Sequence, residues 1–157
     1  MDSEVKASSN WQAIPFGPWD RYRRAVEGGR RVIVAPALYG GWVWDLWAML
    51  DYPVCLAVSD DFPTPQEAMA DADCVAARYS ILSDDELIAR NGIDAYAGTG
   101  TLKIVTVGTG KRCVMCRNEI TPGLAAEEAA GGQWLWCGSC ASRNPGAVLD
   151  SRDATAA

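Results

Sequence analysis

Two tight cysteine pairs, Cys113-Val-Met-Cys116 and Cys137-Gly-Ser-Cys140, constrain this chain more than any other feature in it. Both have the spacing C-x2-C, and residues 117–136 separate them. A C-x2-C turn can aim two sulfurs at one point, and two such turns supply a tetrahedral set of four soft donors. The chain holds 6 cysteines and no histidine. No imidazole can therefore complete a metal site or switch charge near neutral pH. Nucleophile pairs of the Ser-His and Cys-His kinds are excluded within the chain for the same reason.

Four thiolates around one Zn²⁺ leave no open coordination position. The spacing thus predicts one structural zinc ion held by Cys113, Cys116, Cys137 and Cys140. Two disulfides, a single iron or an iron–sulfur cluster would use the same four residues. The opening MDSEVKASSN has no apolar leader region, which predicts a reducing, cytoplasmic location and favours metal over disulfides. Energetics agree. The core-formers of residues 111–143 are few, namely Val114, Met115, Ile120, Leu124, Trp134, Leu135 and Trp136. A segment so small needs a staple, and structural zinc supplies roughly 10–16 kcal/mol of apparent binding energy.

The stretches RCVMCRNEITPG and WLWCGSCASR resemble the four-cysteine treble-clef and zinc-ribbon fingers over residues 111–143. The resemblance implies a knuckle and turn, then a strand leading into a short helix that carries the second pair. It implies metal binding and no particular partner. Residues 1–110 carry no such resemblance.

Of the 157 residues, 49% are hydrophobic and 22% charged, which suits a globular chain. We read four parts: a flexible N-terminus (1–10), a small α/β (or α+β) sheet domain (11–108), a four-cysteine zinc module (109–145) and a flexible tail (146–157). Within the second part, Pro18 and WDRYRRAVE read as a helix stopped by Gly28-Gly29. RVIVAPA, VCLAVS and TLKIVTV read as strands. Thr64-Pro65 with Glu67, and Ser83 with Glu86, are capping signals that open two helices, the second closed by Asn91-Gly92. WVWDLWAML fits either period, and its length and Leu, Ala and Met content favour a helix.

Three functional readings follow. First, one helix cannot bury Trp42, Trp44 and Trp47 on a single face, so this cluster is expected to dock a partner, most simply a protein. Second, Asp60 and Asp61 follow a strand, and in open α/β sheets ligands and metals gather at strand carboxyl ends; a Mg²⁺-dependent enzyme on nucleotide or phosphate substrates is the alternative. Third, Arg21, Arg23 and Arg24, with Lys111, Arg112 and Arg117, are candidate nucleic-acid contacts. Against the third stands the net charge of −6 and the acid-rich middle, from Asp45 to Asp94, because phosphate binding needs positive potential. No apolar run is long enough to span a membrane. The first reading, a non-enzymatic accessory or regulatory zinc protein, is the expected function. Cys55 and Cys74 are expected to be small buried hydrophobes.

Overall fold

The computed structural model describes residues 10–50, 53–93, 101–128 and 134–149. The expected flexible N-terminus, up to residue 9, and the last residues of the expected tail, 150–157, lie outside them. The protein is α+β. Its first sheet is an antiparallel meander of five strands in sequence order: β1 (Gln12–Ala13), β2 (Tyr22–Val26), β3 (Arg30–Pro36), β4 (Trp42–Ala48) and β5 (Val54–Val58). Two helices follow, α1 (Pro65–Tyr79) and α2 (Asp84–Asn91). The second sheet has the order β8-β7-β6-β9, built from β6 (Thr101–Val107), β7 (Gly123–Glu128), β8 (Leu135–Trp136) and β9 (Val148–Leu149). A short helix, α3 (Gly138–Arg143), lies between β8 and β9 in the chain.

Both long helices start where the capping residues place them. Thr64 accepts a hydrogen bond from the Glu67 amide, and Ser83 and Glu86 form a reciprocal capping box. Gly92 ends α2 in the left-handed conformation. Ala68, Met69, Ala72, Val75 and Ala76 form the buried stripe of α1. They pack on Val32 and Val34 of β3, Trp44, Leu46 and Ala48 of β4, and Leu56 of β5.

Two expected helices are strands instead. The segment Tyr22–Val26 pairs with β3 over its whole length, and Trp42–Ala48 lies inside the sheet between β3 and β5. In β4 even-numbered side chains face α1 and α2, while Val43, Asp45 and Trp47 face the other way. Both faces are covered, so the strand shows no polar alternation, and its sequence mimics a helix. The hairpin between β3 and β4 turns at Gly41, whose φ is +83° and where a Cβ would stand 2.9 Å from the Phe62 carbonyl oxygen.

The sheet is a middle layer. Helices α1 and α2 cover one face, and α3 packs against β3 from the other. The start of the expected flexible tail, residues 146–149, is tied in: Ala147 is buried, and Val148–Leu149 pairs in parallel with Thr101–Leu102. The signal was weak because two strand residues cannot display a period. Charge is also sorted. The basic run near residues 20–31 meets the acidic run of the helices, with Arg24 on Asp73 and Arg30 Nε on Asp84 Oδ1 at 2.9 Å.

Candidate metal centre

The first cysteine pair sits in a turn that closes on itself. The Cys113 amide donates to the Asn118 carbonyl at 3.0 Å, and the Arg117 amide donates to the Cys113 carbonyl at 2.9 Å. Arg112 and Glu119 bridge across the base of the turn. The turn needs a left-handed residue after Cys116, and Arg117 fills that place with φ 65°, the sole non-glycine with positive φ among the described residues. The Val114 amide donates to the Leu135 carbonyl at 2.8 Å, which fastens the turn beside β8. The second pair is presented by a helix start. Cys137 is the N-cap of α3, and its sulfur accepts from the Cys140 amide at 3.4 Å. The Met115 amide makes the matching 3.4 Å contact to the Cys113 sulfur.

These two turns bring all four predicted ligands together. The four Sγ atoms lie within 4.8 Å of one another. Cys116 and Cys137 Sγ are 4.0 Å apart, close to the ~3.8 Å edge of a tetrahedron with metal–sulfur bonds of about 2.3 Å. All four are free thiols rather than disulfides. Cys113 and Cys137 are buried, while Cys116 and Cys140 are partly buried. Four sulfurs this close cannot all ionise without a cation among them. Hydrogen bonds from Cys137 and Cys140 hold Cys113 far below the ordinary thiol range. The same hydrogen bond, then burial, pushes Cys137 up to about 12, and Cys140 is pushed up by its bonds to Cys113 and Cys137. This donor set fits a soft or borderline metal ion, which would neutralise the thiolates and cross-link the turn to α3.

Contacts with the first sheet hold the module in place. Arg143, at the end of α3, makes a bidentate pair with Asp45 of β4: Nε to Oδ2 at 2.7 Å and Nη2 to Oδ1 at 2.6 Å. Burial acts to lower the Arg143 pKa, but the hydrogen bonds and charge of Asp45 outweigh it and hold the guanidinium above its ordinary value. Asp45 is 2% exposed. Arg21 caps the other side of the same helix end. Its Nη1 donates to the Ser142 and Asn144 carbonyls at 3.0 and 3.1 Å, and its guanidinium lies 4.4 Å from the centre of the Phe16 ring. Burial, then the charges of Arg23 and Arg31, lower the Arg21 pKa to about 10. Gly138 lets α3 start against Trp19, since a Cβ there would meet the indole at 2.4 Å.

The other predicted residues fall elsewhere. Asp60 and Asp61 are exposed in the link from β5, and no described cluster of three or more acidic or sulfur ligands includes them. The first sheet is antiparallel throughout, so the carboxyl-end crevice that motivated this pair is absent from it. The tryptophans lose the premise for an exposed cluster, because strand geometry sends them to opposite faces. Trp44 is buried with Nε1 donating to Asp71 Oδ2 at 2.8 Å, Trp47 is buried on the far face, and Trp42 is partly buried against Tyr22. Arg21 is buried under α3, Arg24 is paired with Asp73, and Arg23 donates to Gln12 at 3.3 Å. Cys55 is buried as expected, whereas Cys74 is exposed because it lies outside the apolar stripe of α1. Lys111, Arg112 and Arg117 are exposed and line one groove together. The Asp45–Arg143 link is the chief feature that the sequence did not suggest. An aspartate inside an otherwise apolar strand was its one signal.

No protein-family model matches this chain, and no curated protein or solved structure matches it either. No helix among the described residues is long and apolar enough to cross a membrane.

Proposed function

We propose that this is a cytoplasmic zinc-binding recognition protein in which the ion is structural and the module around it meets a macromolecular partner. The carrying observation is the convergence of four sulfurs from two sequence-distant turns within 4.8 Å. A closed four-sulfur set gives an ion no position for water or substrate, so its work is cross-linking. The order of parts supports a treble-clef reading: a cysteine turn, a hairpin of β7 and β8, and a helix whose first turn carries the second pair. Asp45, which is buried, and Arg143, which is partly buried, are spent on each other rather than aimed at a substrate.

Native mass spectrometry of protein purified without added metal tests the proposal. The expected result is one zinc per chain, with four thiols protected from alkylation until a chelator is added. Disulfide-bridged protein without an ion would overturn the reading. A visible sulfur-to-iron absorption band would replace zinc with iron.

A further inference from the structure

We propose that the groove lined by Lys111, Arg112, Arg117, Trp134 and Leu135 binds single-stranded nucleic acid, its phosphates on the cations and a base on the indole. The proposal rests on the recognition reading above and names the partner class for it.

Three observations converge on this groove. The first is its composition. It encloses about 600 Å³ beside the first cysteine turn, and among the described residues no acidic side chain lines it. Among the described residues, Lys111, Arg112 and Arg117 form no ion pair, unlike Lys103, Arg24, Arg30 and Arg143. The second is Trp134, which is 51% exposed at the groove wall. A solvent-facing indole beside unpaired cations is the arrangement that stacks a base while the backbone is neutralised; every base has a π-face, so stacking of this kind is indifferent to sequence. A closed duplex hides those faces, which selects single strands.

The third observation is backbone strain. Arg117 occupies a left-handed position that glycine fills at less cost, by about 1 kcal/mol. Among the described residues, Arg117 joins the turn through its backbone N–H and carbonyl, and no hydrogen bond or ion pair uses its side chain. What the arginine adds is an exposed cation on the groove. Strain kept at a charged surface position points to a ligand.

The net charge of −6 argues against such binding only if charge is spread evenly, and it is not. The acids of the middle segment lie largely on α1 and α2, on the opposite face of the first sheet from α3. Residues 101–149 carry five basic and three acidic side chains. Of those acids, Glu127 is paired with Lys103, Glu128 accepts from Trp136, and the exposed Glu119 accepts from the Gly110 amide at the groove's edge, which leaves a net of two positive charges among Lys111, Arg112, Arg117 and Glu119. Three phosphate contacts predict a log–log salt slope of about −2, shallow for a nucleic-acid protein.

The test uses full-length, zinc-loaded protein and fluorescein-labelled oligothymidylate and oligouridylate, read by anisotropy as sodium chloride is raised. Binding of either strand, with a slope near that value, is expected; which one binds more tightly separates DNA from RNA. Arg117→Gly should weaken binding about threefold or more while the melting temperature stays level or rises. Trp134→Ala should weaken it about tenfold. Zinc content and circular dichroism of each variant are measured alongside. Zinc-loaded, folded protein that ignores both strands, or that binds duplex DNA or poly-glutamate as tightly, would overturn the groove assignment and leave the structural zinc standing. Unchanged binding by both variants would overturn it too. A zinc-free, folded chain that binds the strands would sink the metal reading and keep the groove.

Discussion

The two faces of the first sheet are covered by very different means. Toward α1 and α2 lies an ordinary apolar core, with Val32, Val34, Leu46, Leu56 and Leu87 at 1% exposure or less. It is closed by helices whose caps and stripes are complete. Toward α3 lie smaller clusters, in which Phe16, Leu102, Val107, Ile120 and Trp136 share the buried positions with alanine, serine and cysteine. Small side chains bury little area, and burial is what water-driven stability scales with. The contrast teaches that one chain can close its halves by separate physics: removal of apolar surface on one side, and on the other a four-thiol centre fit for a metal ion, with less apolar burial and a few directed polar contacts. The second kind is strong while every partner is present and collapses when one is taken away.

The largest expected effect is removal of the ion. Chelation, or Cys113→Ser, should unfold the 109–145 region while the helix-covered core persists. Hydrogen exchange would show loss of protection in β7, β8 and α3 with α1 amides still protected. Uniform loss across both halves would break the comparison. Acid should act in the same direction. The ion requires thiolates, so protons compete with it, and zinc release should increase as pH falls.

Leu56→Ala is the matching probe on the other side. Leu56 is fully buried, and its truncation should cost about 3 kcal/mol. Zinc affinity should be unchanged, as denaturant melts and chelator competition would report.

The link between the halves comes next. Asp45→Ala leaves the Arg143 charge partly buried without its partner and should cost about 2 kcal/mol, discounted from a fully buried pair because Arg143 is 29% exposed. The double change Asp45→Leu with Arg143→Met should recover most of that loss. A double mutant no better than the single would show that the pair contributes attraction rather than registry. Gly138→Ala should cost a similar amount, about 1–3 kcal/mol, by driving Trp19 away from α3. Trp19→Phe should then relieve part of it.

The smallest effect concerns Cys55, on the module side of the sheet. Burial, then the charge of Asp45, pushes its thiol up to about 12. The unfolded chain ionises this thiol nearer 9, so its contribution is complete below that pH. It fades as pH rises toward 12. Cys55→Ala should flatten that alkaline limb in melts run across the window.

Local chemistry alone was enough for several parts of this protein. The clustering of the four cysteines follows from spacing, and α1 and α2 follow from Thr64, Pro65, Ser83 and Glu86, because caps and knuckles are decided within a few residues. The strands around Val32, Leu56 and Ile104 were legible for a related reason, being short apolar β-branched runs between turns. The tertiary structure alone decided the rest. Trp42–Ala48 is a strand because β3 and β5 offer ladders on both its edges, and no local signal reports a neighbour distant in sequence. Asp45 finds Arg143 98 residues away, and Arg21 becomes a helix cap instead of a phosphate contact. Polar groups inside a fold take whichever partner the packing delivers, since leaving them unpaired costs more than the distance along the chain.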